Sequence, residues 1–280
     1  MMGLWHRFRR HHGAVAGLTA VAVIALMGLL AGWIAPFDPW AIRGAPMQPP
    51  FVDLVHPLGT DLLGRDVLSG IIHGARVSLL IGLICMLATV SVGIVLGAVA
   101  GYFAGWVDDL LMRVTEFFQV LPSFVFAVVL VAIFKPGLGS IVTAIVLVSW
   151  PPVARLVRSE FLSLRSREFV EAAVTAGHRS LWIIFREILP NALAPVVALA
   201  TLMVASAILL ESSLSFLGLG DPNLMTWGYM IGTSRSAIRV AWWMSVFPGL
   251  ALVITILAIN QVGEGLARTL NVRLSGGRAA

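Results

Sequence analysis

Few residues in this chain have the type and spacing to do covalent chemistry. Fourteen Asp and Glu residues occur in 280, and those set in or near apolar runs are Glu116 and Glu211, with the amide pair Asn260-Gln261 nearby. An ionisable group inside a membrane is costly to bury and faces protein or water rather than lipid. Glu211 therefore has two readings: it lines a pathway, or it holds the adjacent turn at 212–220. Glu116 follows Arg113 by three residues, a helical spacing suited to an ion pair. No Ser/His/Asp triad or paired-carboxylate arrangement is present, so no catalytic residue is expected. The six histidines are scattered without ligand spacing, and the single Cys85 lies in an apolar run. Together these exclude an intrachain disulfide and predict no metal site. The phosphate-cradling pattern Gly-x-x-x-x-Gly-Lys-Ser/Thr is missing, so the chain is not expected to bind ATP or any other cofactor itself.

What remains is recognition chemistry in one segment. Glu171-Ala172-Ala173-Val174-Thr175-Ala176-Gly177 is followed by Leu189-Pro190-Asn191, between two apolar runs. Phe169, Ala172, Ala173 and Ala176 recur at i, i+3, i+4, i+7 and predict one apolar helical face. Glu168, Glu171 and Thr175 lie on another. Gly177 is placed to end this helix, because glycine adopts the left-handed conformation past a C-cap. Leu181, Ile184, Phe185 and Ile188 share the face of a second helix, with Pro190 at its end. The small Ala172-Ala173 pair permits close approach of a partner, whose movement would reach the spans through the second helix and the Pro190 joint. The alternative is an amphipathic helix lying on lipid. Docking is favoured, because Glu168 and Glu171 would be repelled by an anionic membrane.

The surrounding elements are apolar. Hydrophobic residues make up 59% of the chain and charged residues 12%, against about a quarter charged in soluble domains. Mean hydropathy is +0.94. The apolar runs are continuous rather than alternating, which selects membrane-spanning helices over a barrel. Six spans are expected, near 14–35, 78–100, 110–134, 138–157, 193–213 and 245–267, with Pro122 kinking the third. The first run, 14–35, follows Arg7, Arg9 and Arg10. It is longer than a signal-peptide core and reads as a retained span, with cleavage near Ala35 as the alternative.

The net charge of +5 comes from 19 Lys and Arg residues. With the N-terminus inside, thirteen of them fall in inside segments and six outside, which predicts both termini in the cytoplasm and places the 158–192 loop there. Basic residues flanking spans account for the sequence pI of 10.6 without nucleic-acid binding. The expected organisation is a tail, first span and outside loop over 1–77, a five-helix core over 78–272, and a tail over 273–280. Thr60 or Asp61 is expected to cap a helix in the outside loop, with contact to a soluble partner as the competing reading of the 61–66 region. Gly93, Gly97 and Gly101 form a small-residue ladder, packing either within the subunit or against another one. Trp227, Trp242 and Trp243 are expected in an interfacial aromatic belt.

Glu171-Ala172-Ala173 with Gly177 and Leu189-Pro190-Asn191 resembles the coupling motif of ABC importer permeases. Further stretches resemble the second permease subunit of dipeptide and oligopeptide importers. These are Gly59-Thr60-Asp61, Gly64-Arg65-Asp66-Val67-Leu68-Ser69, Gly74-Ala75-Arg76-Val77-Ser78-Leu79, Ala154-Arg155-Leu156-Val157-Arg158 and Ser213-Leu214-Ser215-Phe216-Leu217-Gly218-Leu219-Gly220. The likeness runs from about residue 15 to 272. It implies an all-α polytopic permease of the bacterial inner membrane, paired in the bilayer with a second homologous permease. It also implies two ATPase subunits that bind the ATP and hold the coupling element, and an extracytoplasmic substrate-binding protein. Glu171, Ala172, Ala173, Gly177, Leu189 and Pro190 fall in that coupling element. Glu187 departs from the pattern, since relatives often carry histidine there. The implied cargo is a dipeptide or oligopeptide, with nickel complexes, glutathione or other small solutes as alternatives. The rivals are a secondary transporter, which would show inverted repeats, and a membrane-embedded enzyme, which would need converging acid, base or metal groups. Neither signature is visible.

Overall fold

The computed structural model describes residue 6 and residues 8–276. Among these residues there is no strand, only isolated bridges joining Ile42 to Arg65 and Thr60 to Asp66. A backbone in hydrocarbon must close its hydrogen bonds within its own segment, and the helix does so.

Helix α1 spans His12–Leu29 and the short α2 spans Ala31–Ile34. They are followed by α3 (Val67–Phe103), α4 (Gly105–Val120), α5 (Ser123–Phe134) and α6 (Leu138–Arg165). Then come α7 (Glu168–Thr175), α8 (Ser180–Phe216), α9 (Trp227–Ser234) and α10 (Trp243–Gly276). Five of these, α1, α3, α6, α8 and α10, are each long and apolar enough to cross a membrane. The expected third span, 110–134, is instead the pair α4 and α5, meeting at 88°. Pro122 causes the break. It has no N–H and excludes helical backbone from the residue before it, and Leu121 is accordingly extended at φ −75°, ψ 131°.

Helix α3 is 37 residues long, about 55 Å at 1.5 Å per residue, so it projects well past the hydrocarbon. It begins eleven residues before the expected span because Asp66 caps it, its carboxylate accepting from Ser69 N–H at 2.7 Å. Thr60 and Asp61, the expected caps, lie in the preceding connection. There Asp61 Oδ1 accepts from the N–H groups of Leu63 and Arg65, both at 2.8 Å.

The core runs along α3 and α6, which pack through the glycine ladder. A Cβ on Gly93 would lie 2.5 Å from Val153 Cβ, and one on Gly101 2.6 Å from Phe161 Cβ. The ladder therefore serves packing within the subunit. At the end carrying the 36–66 connection, Trp227 is fully buried and donates Nε1–H to Ile71 O at 3.0 Å. Trp243 is also buried and donates to Thr60 O at 3.1 Å. These two indoles pin the connections to the helices, and of the three tryptophans expected in an interfacial belt Trp242 alone is exposed. At the opposite end, the start of α1 meets α10 through Ala14 and Gly265. Helix α10 continues through residue 273 to Gly276, so the expected tail begins as helix, and residues 277–280 lie outside the described residues.

Candidate functional site: a short helix outside the bundle

Helix α7 is one structural consequence of Arg167 and Gly177. Arg167 is extended and caps its start, and Glu168 and Glu171 stand in the first turn, where the helix dipole favours acidic groups. At the other end the Gly177 N–H donates to Val174 O at 3.0 Å and the His178 N–H to Ala173 O at 3.2 Å. This paired closure requires left-handed backbone at Gly177, which sits at φ +79°. Nothing lies within 4 Å of a Cβ placed on Gly177, so backbone conformation, not space, demands the glycine.

Only Val170 and Ala173 of α7 are buried. They pack on Phe161, Ile183, Ile184 and Ile188, which anchors the helix to the ends of α6 and α8. The expected face of Phe169, Ala172, Ala173 and Ala176 divides: Ala173 turns inward, and the other three are exposed along with Glu171. In the second segment Ile184 and Ile188 are buried, while Leu181 and Phe185 are exposed at 67% and 61%. His178 stacks on Trp182 with ring centroids 3.8 Å apart and planes within 12°. An apolar and acidic surface thus projects beyond the membrane-spanning core.

The expected joint at Pro190 is absent, and α8 runs without interruption from Ser180 to Phe216. Its turns over Ile183–Ile188 widen to a π-helix, and the Leu189 N–H donates to Ile184 O, five residues back. Proline cannot return a bond to residue 186 and its ring would crowd that carbonyl. The widened turn absorbs both problems. Asn191 Nδ2 donates to Glu187 O at 2.7 Å, tying the next turn across the bulge, and Glu187 forms no ion pair among the described residues. Leu189 and Pro190 therefore lie inside a continuous rod leading from the projecting surface to the far end of the bundle.

Two arginines that sequence reasoning had quoted only as part of a motif hold the neighbouring α4. Arg158 donates from Nε and Nη2 to the two carboxylate oxygens of Asp108, the second at 2.6 Å. Arg155 Nη1 donates to Gln119 Oε1 at 2.6 Å. The pairing spans fifty residues, and no local spacing announces it. The local pair Arg113–Glu116 does not form an ion pair.

Glu211 is 2% exposed. Its Oε1 accepts from Ser215 Oγ at 2.8 Å and Thr226 Oγ1 at 2.9 Å, and Thr226 in turn caps α9 by accepting from the Tyr229 N–H. Of its two readings, the geometry supports the one in which the carboxylate holds the adjacent turn.

No grouping of three or more His, Cys, Asp or Glu suited to a metal occurs among the described residues. A helical domain with five helices long and apolar enough to cross a membrane, and one short helix projecting from its end, defines the class of polytopic membrane proteins. Residues 93–276 match the family described as binding-protein-dependent transport system inner membrane component. Residues 3–50 match the N-terminal TM domain of oligopeptide transport permease C. The chain belongs to the family of binding-protein-dependent transport system inner membrane components, and is a multi-pass permease subunit of the bacterial inner membrane.

Its relatives include the di/tripeptide transport system permease protein DppC of Pseudomonas aeruginosa strain UCBPP-PA14, 41% identical over 96% of this chain and 91% of that one. The dipeptide transport system permease protein DppC of Escherichia coli K12 is 41% identical over 96% and 92%. The glutathione transport system permease protein GsiD of Pectobacterium atrosepticum is 35% identical over 96% and 90%. Among solved structures, the MetNI methionine ABC transporter in an inward-facing conformation superposes with a TM-score of 0.60. That match covers 72% of this chain and 96% of that one at 17% identity, a likeness of fold.

Proposed function

We propose that this permease imports short peptides, and that the α7 surface transmits the work of separate ATPase subunits to it. The observation that carries this reading is the mechanical arrangement. A short helix held by only Val170 and Ala173 presents Glu171, Ala172 and Ala176 outward, and it packs on the first turns of a 37-residue helix that enters the bundle. A force on α7 is thereby delivered to α8. The thirteen-to-six distribution of basic residues supports a cytoplasmic position for this end and for both chain termini. Glu171, Ala172, Ala173, Gly177, Leu189 and Pro190 form the coupling element. ATP is bound and hydrolysed by two partner subunits, a second permease completes the pathway, and an extracytoplasmic binding protein delivers cargo. Peptide cargo is supported by the names of the dipeptide relatives at 41% identity.

The test is reconstitution. The chain is co-expressed with its neighbouring permease, ATPases and binding protein, and uptake of a labelled dipeptide into proteoliposomes is measured. Uptake should require ATP and every subunit. Transport by this chain alone, without ATPases, would overturn the assignment.

A further inference from the structure

The hydroxyls along the spans divide into two groups. Ser91, Thr143 and Thr255 donate to the carbonyl one turn earlier, at 2.7 to 2.8 Å, as a hydroxyl surrounded by hydrocarbon must, and Ser213 does the same from the wall of the cavity between α5, α6 and α8. Ser149 in the middle of α6 and Ser206 in the middle of α8 make no hydrogen bond among the described residues. Neither does Ser123, at the start of α5. All three line a single open cavity of about 390 Å³ between α5, α6 and α8. An unbonded hydroxyl turned toward lipid is unfavourable, so this face is not one that lies against lipid.

A second observation in the same wall supplies an acceptor. Pro152 lines the cavity together with Val148, and it stands inside α6. Having no N–H, Pro152 cannot return the α-helical bond to the Val148 carbonyl four residues earlier. The cavity wall therefore holds hydroxyl donors on two helices and one residue whose carbonyl lacks its usual helical partner. Met203, also in the wall, is an unbranched and adaptable apolar contact. By contrast the groove between α1, α8 and α10, lined by Leu18, Leu193, Val197, Val262 and Leu266, is almost wholly apolar and matches a lipid-facing or protein-covered surface.

We propose that the cavity between α5, α6 and α8 is this subunit's share of the passage, and that Ser123, Ser149 and Ser206 hydrogen-bond the backbone of the passing peptide. The inference rests on the importer reading above and names the residues that meet its cargo. Hydroxyls and a spare carbonyl complement amide C=O and N–H groups, which every peptide carries whatever its side chains, and a volume of this size admits a short peptide.

The experiment uses the full complex in proteoliposomes, with Ser149→Cys and Ser206→Cys introduced singly. The native Cys85 is fully buried and serves as an internal blank. A charged methanethiosulfonate reagent is added, and modification is read on this chain by intact mass. Val197→Cys, in the apolar groove, is the comparison. The expected result is that both serine positions react while Val197→Cys does not, and that turnover with ATP and alanyl-alanine slows their modification severalfold. Absence of modification in a complex that still transports, or a modification rate unchanged by turnover, would overturn the proposal. Uptake by the unsubstituted complex reads the importer assignment separately, so a failure of one is not mistaken for a failure of the other. Ser149→Ala combined with Ser206→Ala should lower uptake about tenfold, and Ser206→Thr, which keeps the hydroxyl, should retain it.

Discussion

Arg158 on α6 clasps Asp108 on α4 through both carboxylate oxygens, at 2.5 and 2.6 Å. The Asp108 side chain is 10% exposed and that of Arg158 34%. The pair holds the first turn of the amphipathic α4 against α6, and Arg155, bonded to Gln119, holds its last turn just before the 88° turn into α5.

Because the pair is bidentate, a lysine in place of Arg158 keeps the charge and loses the fork. Arg158→Lys should cost about 1 kcal/mol, and Arg158→Ala, which leaves a largely buried carboxylate unpaired, about 2–3 kcal/mol. The thermal unfolding midpoint of the solubilised complex checks this order. Equal midpoints for both variants and the native chain would show that the clasp adds nothing to the fold.

At Gly177 a side chain must adopt φ near +79°. Gly177→Ala should cost about 1–2 kcal/mol locally, with membrane insertion intact and ATP-driven uptake reduced. Gly177→Pro also removes the N–H that closes α7 on Val174 O and should abolish most uptake. Glu171→Lys leaves the backbone alone and reverses one exposed charge, so it tests the surface itself. Normal uptake by Gly177→Pro and Glu171→Lys together would remove the coupling role from α7.

Glu211 discriminates holding from transporting. Glu211→Ala leaves the buried Ser215 and Thr226 hydroxyls without their acceptor and should destabilise the subunit by about 2–4 kcal/mol. Glu211→Gln keeps an acceptor oxygen and should retain most stability and uptake. Loss of uptake in Glu211→Gln with an unchanged unfolding midpoint would return the residue to the pathway.

The glycine ladder leaves no room for growth. Gly97→Val introduces a Cβ 2.8 Å from Val157 Cβ and should cost about 1–3 kcal/mol by overpacking. Reduced yield of the assembled complex and a lower unfolding midpoint are the expected readings.

The α-helical class, five of the six spans and the position of α7 were legible in the residues, because each depends on a local property. Continuous apolar runs impose helix on a chain in lipid, Gly177 is the residue a left-handed closure needs, and Pro122 disfavours helical backbone at the residue before it. The face that α7 buries was legible only in part. Ala173 points inward as its spacing suggests, yet Val170 rather than Phe169 shares that face, since the direction of the core is set by Phe161 and Ile188 from other helices.

Other features depend on atoms brought together from far along the chain. Trp227 and Trp243 look like belt residues until Ile71 O and Thr60 O are found within reach of their indole N–H groups. Asp108 and Arg158 are unremarkable until α4 folds back on α6. Whether Ser149 and Ser206 bond to their own helix or open onto a cavity is likewise invisible in a string of letters. By itself the sequence determined that this is a helical membrane protein with one projecting, glycine-closed helix, because propensity and hydropathy act over a few residues. The tertiary structure alone decided which carboxylate staples, which indole is core and which hydroxyls face the cavity, because hydrogen bonding and burial depend on what lies opposite.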